Sequence, residues 1–302
     1  MPVRSMSAGS TPGTIGAALT DATLRLRRSG SPSARLDAEL LLAHMTGHER
    51  SWVLAHPDAP LEEPRAFGDV LGRRAAGEPI AYIRGFKEWR SLRIRTDARA
   101  LIPRPETELL VEEAMTAIAA RPTWDAAPVV AWDVATGSGV LALAMALHFR
   151  RALALGTLRI IASDVSPRAL DLAAENLAAH GVARDVTLVC ADLLGPAQVP
   201  PPRPDAIVAN LPYVATAEVD AGRGSLAFEP RLALDGGPDG LALIRRFLAQ
   251  LPEGATPGAT VLLEIGAGHG DAVAALAPAG ASVSMVRDLA GLDRIVRIRL
   301  AD

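Results

Sequence analysis

The sequence predicts an α/β fold: a mostly parallel sheet covered by helices on both faces, closed by a C-terminal antiparallel hairpin and preceded by a small helical domain. Three observations carry this reading. From Pro128 onward, short apolar runs alternate with helix-length segments, the pattern of parallel strands joined by crossover helices. The alternation stops near the end, where Ser282 to Val286 and Arg294 to Leu300 follow each other as short strands with no helix between them. Before Gly77, apolar positions recur at helical spacing instead.

Residues 1–13 are rich in Ser, Gly and Pro without an apolar core and read as a disordered tail. Residues 14–77 carry Ile15, Leu19, Ala22 and Leu26, then Leu36, Leu40, Leu41 and Met45, with breaks at Gly30, Gly47 and Pro57; this predicts a helical domain. Residues 78–104 read as a strand-pair linker, with Ile80, Tyr82 and Ile83 before Gly85 and Leu92 and Ile94 after it. In the remaining domain, 105–302, strands are expected at 129–134, 158–163, 186–190, 205–209 and 259–264. Helices are expected at 139–150, 167–180, 239–251 and 270–277.

With 302 residues, 49% of them hydrophobic and 22% charged, the chain has the composition of a soluble globular protein with a sizeable core. Its formal charge of −3 argues against gripping nucleic acid over a broad surface, which rests on many phosphate neutralisations. No apolar run is long enough to span a bilayer, so no membrane partner is expected. The sole cysteine, Cys190, ends the apolar run from Val186 and is expected to be a buried structural thiol, in keeping with a reducing cytoplasm. No His/Cys cluster has metal-ligand spacing. Lys87 is the only lysine and decides nothing about function.

Two turns carry the chemistry. The run Val129 to Val134 leads into Ala135-Thr136-Gly137-Ser138-Gly139 and then an apolar helix, a strand, glycine turn and helix that let backbone approach a ligand closely. A second strand ends about 25 residues later at Asp164, a candidate acceptor for both hydroxyls of a ribose. The turn lacks the third glycine of the pyrophosphate fingerprint, which suits a nucleoside ligand without a pyrophosphate, such as S-adenosylmethionine. A tight β-α connection is the bland reading of the turn, and capping of the next helix is the bland reading of Asp164. The other turn is Asn210-Leu211-Pro212-Tyr213, after the run Ala206 to Ala209. A rigid turn with one amide and one aromatic ring is a receptor for a flat group bearing an NH2, which points to methylation of an amide or exocyclic amine.

With these turns in place, the chain resembles the class I (Rossmann-like) S-adenosylmethionine-dependent methyltransferases, and within them the release factor glutamine methyltransferases, the HemK family. The resemblance rests on Glu78 to Gly85, Leu101-Ile102-Pro103-Arg104-Pro105-Glu106-Thr107-Glu108, Asp133 to Gly139, Asn210 to Tyr213 and Phe228 to Gly237. It implies N5-methylation of the glutamine in the Gly-Gly-Gln loop of peptide chain release factors, with the helical 14–77 region docking the factor. Asn210, Leu211, Pro212 and Tyr213 would hold the glutamine, Asn210, Pro212 and Tyr213 being catalytic. Arg104 and Glu106 would roof the site. Ala135 to Gly139, Asp164, Asp192, Leu193 and Asn210 would hold the cofactor, although Asp192 reads equally well as a turn former before Gly195. His269 reads as the start of a helix, and the segment from Val214 to Asp239 as one wall of the peptide groove, movable at its glycines. Two positions depart from the family pattern. Ala135 stands where glycine is usual, which a negative φ would allow, and Leu211 stands where a second proline is usual. Asn-Leu-Pro-Tyr also occurs in adenine methyltransferases, so N6-methylation of adenine in RNA or DNA remains an alternative, as does a glutamine of a ribosomal protein.

Overall fold

The computed structural model describes residues 13–121, 127–195, 202–222 and 224–302. The expected N-terminal tail, apart from Gly13, lies outside the described residues. The chain divides into two compact units at Gly85/Phe86.

The first unit packs α1 (Ile15–Arg28), α2 (Ala34–Thr46), α3 (Arg50–Ala55), α4 (Pro64–Ala75) and α5 (Ile80–Arg84). Thr14 caps α1 by accepting the Ala17 N–H, and Ile15, Leu19, Ala22 and Leu26 are buried as their spacing requires. In α2 the stripe differs from expectation: Leu36 is exposed, and Ala34, Ala38, Leu41 and Leu42 make the core. Residues 80–84 are helix rather than strand, ended by Gly85 in the left-handed conformation; a five-residue apolar run cannot be told from a strand by periodicity alone.

The second unit opens with the antiparallel pair β1 (Phe86–Trp89) and β2 (Leu92–Arg95). It continues with α6 (Thr107–Ala119), β3 (Val129–Val134), α7 (Val140–His148), α8 (Arg150–Ala154), β4 (Leu158–Asp164), α9 (Pro167–Ala179), β5 (Val186–Cys190) and β6 (Ala206–Ala209). Then come α10 (Thr216–Asp220), α11 (Ala242–Gly254), β7 (Thr260–Glu264), α12 (Gly270–Ala274), β8 (Ser282–Arg287) and β9 (Asp293–Arg299). The large sheet has the order β5-β4-β3-β6-β7-β9-β8. Strands β3 to β7 run parallel and β9 pairs antiparallel with both β7 and β8, which is the C-terminal hairpin.

Alternation along β3 divides the core. Val129 and Ala131 join the cluster under α6 and α7, while Val130, Trp132 and Val134 join the cluster under α11. Strands β3, β6 and β7 are buried throughout, as parallel strands between two helical layers must be. Helix α11 starts three residues later than expected because Asp239 accepts the Leu241 N–H and Gly240 sits at φ +75°. Cys190 is exposed, contrary to expectation, since β5 is the edge strand of the sheet and only its first residue is buried.

Candidate active site

Val134 pairs with Ala209, so Ala135 and Asn210 leave the sheet side by side at the carboxyl ends of β3 and β6. This is where the strand order reverses, the usual ligand crevice of an open α/β sheet. A cavity of about 290 Å3 opens there, bordered by Ala135 to Ser138, Asp164, Asp192, Leu193 and Asn210 to Pro212.

The glycine turn is held from behind and below. The Asp164 carboxylate accepts the Gly137 N–H at 3.0 Å through Oδ2 and the Ser166 N–H at 2.9 Å through Oδ1. Burial nevertheless keeps its pKa above the usual carboxylate range. Ser166, not Asp164, caps α9 through its hydroxyl. Beneath the turn, Asp133 is fully buried; its Oδ2 accepts the Thr136 hydroxyl at 2.5 Å and the Ala142 N–H at 3.1 Å, and burial pushes it up to about 7. Gly139 must be glycine: a Cβ there would lie 2.9 Å from the Ala173 Cβ of α9. Ala135 departs from expectation, at φ +58°. Its methyl group therefore occupies a conformation that costs a non-glycine residue about 1–2 kcal/mol.

These residues fit a nucleoside bearing a sulfonium. The buried Asp164 carboxylate, which has no cationic partner among the described residues, borders a cavity that Val165 and Leu232, both exposed apolar side chains, also border. At the rim Asp192 is paired with Arg246 at 2.6 Å, and Leu193 is buried with φ +57°.

The second turn is held by side chains from distant segments. Asn210 Nδ2 donates to Thr107 Oγ1 at 3.3 Å, and Leu211 and Pro212 are buried in the cavity wall. A Cβ on Gly236 would come within 2.7 Å of the Pro212 carbonyl oxygen, and one on Gly240 would collide with that of Tyr213. Those two glycines thus serve close backbone packing, not movement. The segment from Val214 to Asp239, which includes Gly236 and ends just before Gly240, is no open loop either, since it contains α10, two 3-10 turns and a bridge between Val214 and Asp235. The Tyr213 ring lies against Gly266, where the His269 ring also approaches, and Tyr213 is not among the residues that border the cavity. Burial and the nearby Glu264 raise its hydroxyl to about 12, so it remains protonated at neutral pH.

Arg104 borders the cavity and pairs with Glu229, not with Glu106: Nη2 lies 2.6 Å from Glu229 Oε1, and Glu229 Oε2 accepts the Ile102 N–H at 3.0 Å. Glu106 is exposed just ahead of α6. The carbonyls of the same segment are held by the β1/β2 hairpin, Lys87 donating to Pro103 and Trp89 Nε1 to Arg104.

The chain is 38% identical over 286 residues to a release factor glutamine methyltransferase of Moorella thermoacetica, covering 93% of this chain and 96% of the relative. It is also 38% identical to one of Deinococcus radiodurans, covering 94% and 97%. It belongs to the release factor glutamine methyltransferase family. Residues 17–85 match the PrmC N-terminal domain, and 117–215 match the ribosomal protein L11 methyltransferase (PrmA) model. Among solved structures, the hMettl16 catalytic domain in complex with MAT2A 3'UTR hairpin 6 superposes with a TM-score of 0.50 at 12% identity, over 78% of this chain and 83% of that one. At that identity the likeness shows the methyltransferase fold alone. The family makes this chain a class I, S-adenosylmethionine-dependent methyltransferase.

Within that family frame, four side chains the sequence reading passed over hold the site: Asp133 under the glycine turn, Thr107 and Glu264 behind Asn210, and Glu229 under Arg104. Asp133, Thr107 and Glu229 lie in the very motifs quoted above, but only the fold shows what they touch. Glu264 ends β7 and had no local signal at all. His269 directly precedes α12. Among the described residues no group of His, Cys, Asp and Glu is arranged to hold a metal, and no helix is long and apolar enough to cross a membrane.

Proposed function

We propose that this enzyme transfers the methyl group of S-adenosylmethionine to the side-chain nitrogen of the glutamine in the Gly-Gly-Gln loop of a peptide chain release factor, in the cytoplasm. One observation carries the reading: Asp164 and Asn210, a ribose-type acceptor and an amide-type receptor, border one cavity at the strand-order reversal. The names of the relatives point to the same substrate.

The bound cofactor supplies an electrophilic methyl group on sulfur. The chain's own task is to orient a poor nucleophile, because an amide nitrogen's lone pair is delocalised into its carbonyl. The Asn210 side-chain oxygen and the Leu211 carbonyl accept the two N–H bonds of the glutamine and aim its nitrogen at the methyl group. Such positioning is worth about 7–11 kcal/mol in favourable cases. Asp164 holds the ribose, Ala135 to Gly139 take the cofactor's backbone contacts, and Asp192 and Leu193 flank the adenine. Arg104, braced by Glu229, closes over the site, with Glu106 exposed just ahead of α6. The helical unit docks the release factor.

Incubation with methyl-labelled cofactor, release factor and RNA, followed by mass spectrometry, tests this. Label on the Gly-Gly-Gln glutamine is expected; label on adenine, or on a ribosomal protein alone, would overturn it.

A further inference from the structure

Three helices of the first unit frame a cleft of about 520 Å3, where the end of α1 and the starts of α2 and α3 come together. Arg27, Arg35, Leu36, Glu39 and Arg50 border it, together with the Ser31–Ser33 segment. Two buried acids build it from below. Asp37 accepts the Ser31 hydroxyl at 2.7 Å, the Ser33 hydroxyl at 2.9 Å and Arg74 Nε at 2.8 Å, which fixes one wall. Glu39 accepts Arg35 Nε at 2.6 Å through Oε1 and Arg50 Nε at 2.8 Å through Oε2.

Each of the two arginines is thus held by one N–H of a guanidinium that carries five. Among the described residues their Nη groups have no hydrogen-bond partner, and Arg27 makes no ion pair. The Arg35 and Arg50 side chains remain 51% and 54% exposed, so their open edges reach solvent. Three guanidiniums border the cleft against one carboxylate, which leaves an excess of positive charge. Because Glu39 orders two of them in advance, less rotamer freedom is lost when a partner binds. The planar fork of arginine fits a carboxylate with two parallel bonds. Leu36, 42% exposed, sets an apolar contact beside them.

We infer that this cleft is where the helical unit grips its protein substrate, through an acidic segment of the release factor that lays carboxylates on Arg27, Arg35 and Arg50 and an apolar side chain on Leu36. The inference rests on the function proposed above and names the surface and the chemistry by which docking works. Charge selects the occupant. A local excess of positive charge suits a short acidic segment, whereas nucleic acid is gripped along a longer basic stripe. Among the described residues the border also holds no aromatic ring on which a base could stack.

Methylation of intact release factor by the full-length protein tests this. Arg27→Glu breaks no ion pair of the fold, and it should raise KM for release factor about tenfold while kcat and the cofactor Kd hold. Wild-type KM should climb between about 50 and 300 mM salt, and that of the variant should climb less. Arg50→Gln should move KM in the same direction, Arg35 still pairing with Glu39. Arg65→Glu, at an exposed position of α4 outside the cleft, is the control for net charge and should leave KM unaltered. The cleft is overturned by an unchanged KM in Arg27→Glu, by an equal rise in Arg65→Glu, or by an RNA oligonucleotide, not release factor, whose binding depends on Arg27. If the wild type fails to methylate release factor, the substrate reading falls and the cleft with it; methylation with a KM indifferent to Arg27 removes the cleft alone.

Discussion

The two turns that leave β3 and β6 lie side by side and, on the function proposed above, do opposite kinds of work. The glycine turn binds with its backbone, and most of what shapes it lies within about 30 residues of chain: Asp133 below, Asp164 behind, Ser163 accepting the Thr136 N–H. On that reading the asparagine turn works with a side chain, and what holds it is remote: Thr107 from α6, and Gly236 and Gly240 from the chain that follows. Each turn also rests on a buried carboxyl pushed up to about 7, Asp133 under one and Glu264 under the other. A cofactor site can be assembled locally because its ligand is always the same; a substrate receptor is assembled from several elements.

The sharpest way to break this division is Asn210→Ala. It should lower kcat by about 100-fold or more, with cofactor Kd altered little, because the turn orients the nucleophile and does not hold the core. Asn210→Asp keeps an acceptor but adds charge, and should cost at least about tenfold in kcat. Turnover close to wild type for Asn210→Ala on release factor would reduce the second turn to a connection.

The complementary change is Asp164→Ala. Loss of a charged acceptor for the ribose hydroxyls should weaken S-adenosylmethionine by about 1.5–3 kcal/mol, roughly 10- to 150-fold in Kd. Calorimetry decides it, and unchanged affinity would remove Asp164 from the site. If both variants changed only Kd, or both only kcat, the separation of labour between the turns would be wrong.

How legible each turn was follows from the same contrast. Strand, glycine turn, helix and Asp164 could be placed from local pattern, since period and turn chemistry are short-range signals. Asn210 itself stood out, but its supports did not, because their meaning depends on which segments meet. Glu229 was visible only as one letter of a motif until its carboxylate was found bridging Arg104 and the Ile102 N–H. Cys190 misled because an apolar run says nothing about whether its strand is central or at the edge. Ile80 to Ile83 misled because a short apolar run has no period. Lys87, set aside as uninformative, is half-buried against the Pro103 carbonyl, where a compact ammonium fits.

The shared carboxyl supports predict a common pH response of stability. Asp133 and Glu264 have native pKa values raised from ordinary ones of 3.8 and 4.5 to about 7. Between those limits the native state holds protons that the unfolded state has released, so stability is greatest at the acid end and declines as pH rises to about 7. Each unit of raised pKa corresponds to about 1.4 kcal/mol. Urea unfolding of Asp133→Asn from pH 5 to 8 should show a shallower decline than the wild type; an identical slope would mean that Asp133 is ionised in the folded state.

Glu229→Ala probes the roof shared by both turns. It leaves the Ile102 N–H unpaired, while Arg104, 30% exposed, can rehydrate. A loss of about 1–2 kcal/mol in urea stability is expected, below that of a fully buried pair. Unaltered stability would show that the segment is held by Lys87 and Trp89 alone.

The smallest effect sits at Ala135, the one residue of the glycine turn whose side chain opposes its backbone. A non-glycine residue at φ +58° costs about 1–2 kcal/mol. Replacing it with glycine removes that strain but adds unfolded-chain entropy worth about 0.4–1 kcal/mol. Ala135→Gly should therefore stabilise the unliganded protein by about 0.5–1 kcal/mol in urea unfolding. Because the turn already holds the conformation that binds, cofactor affinity should change less than twofold or so. A destabilised variant would mean that the Ala135 methyl earns more by packing against its apolar neighbours than it loses in strain. A large gain in affinity would mean that the turn is distorted in the wild type, and that the backbone site depends on a side chain as much as the asparagine turn does.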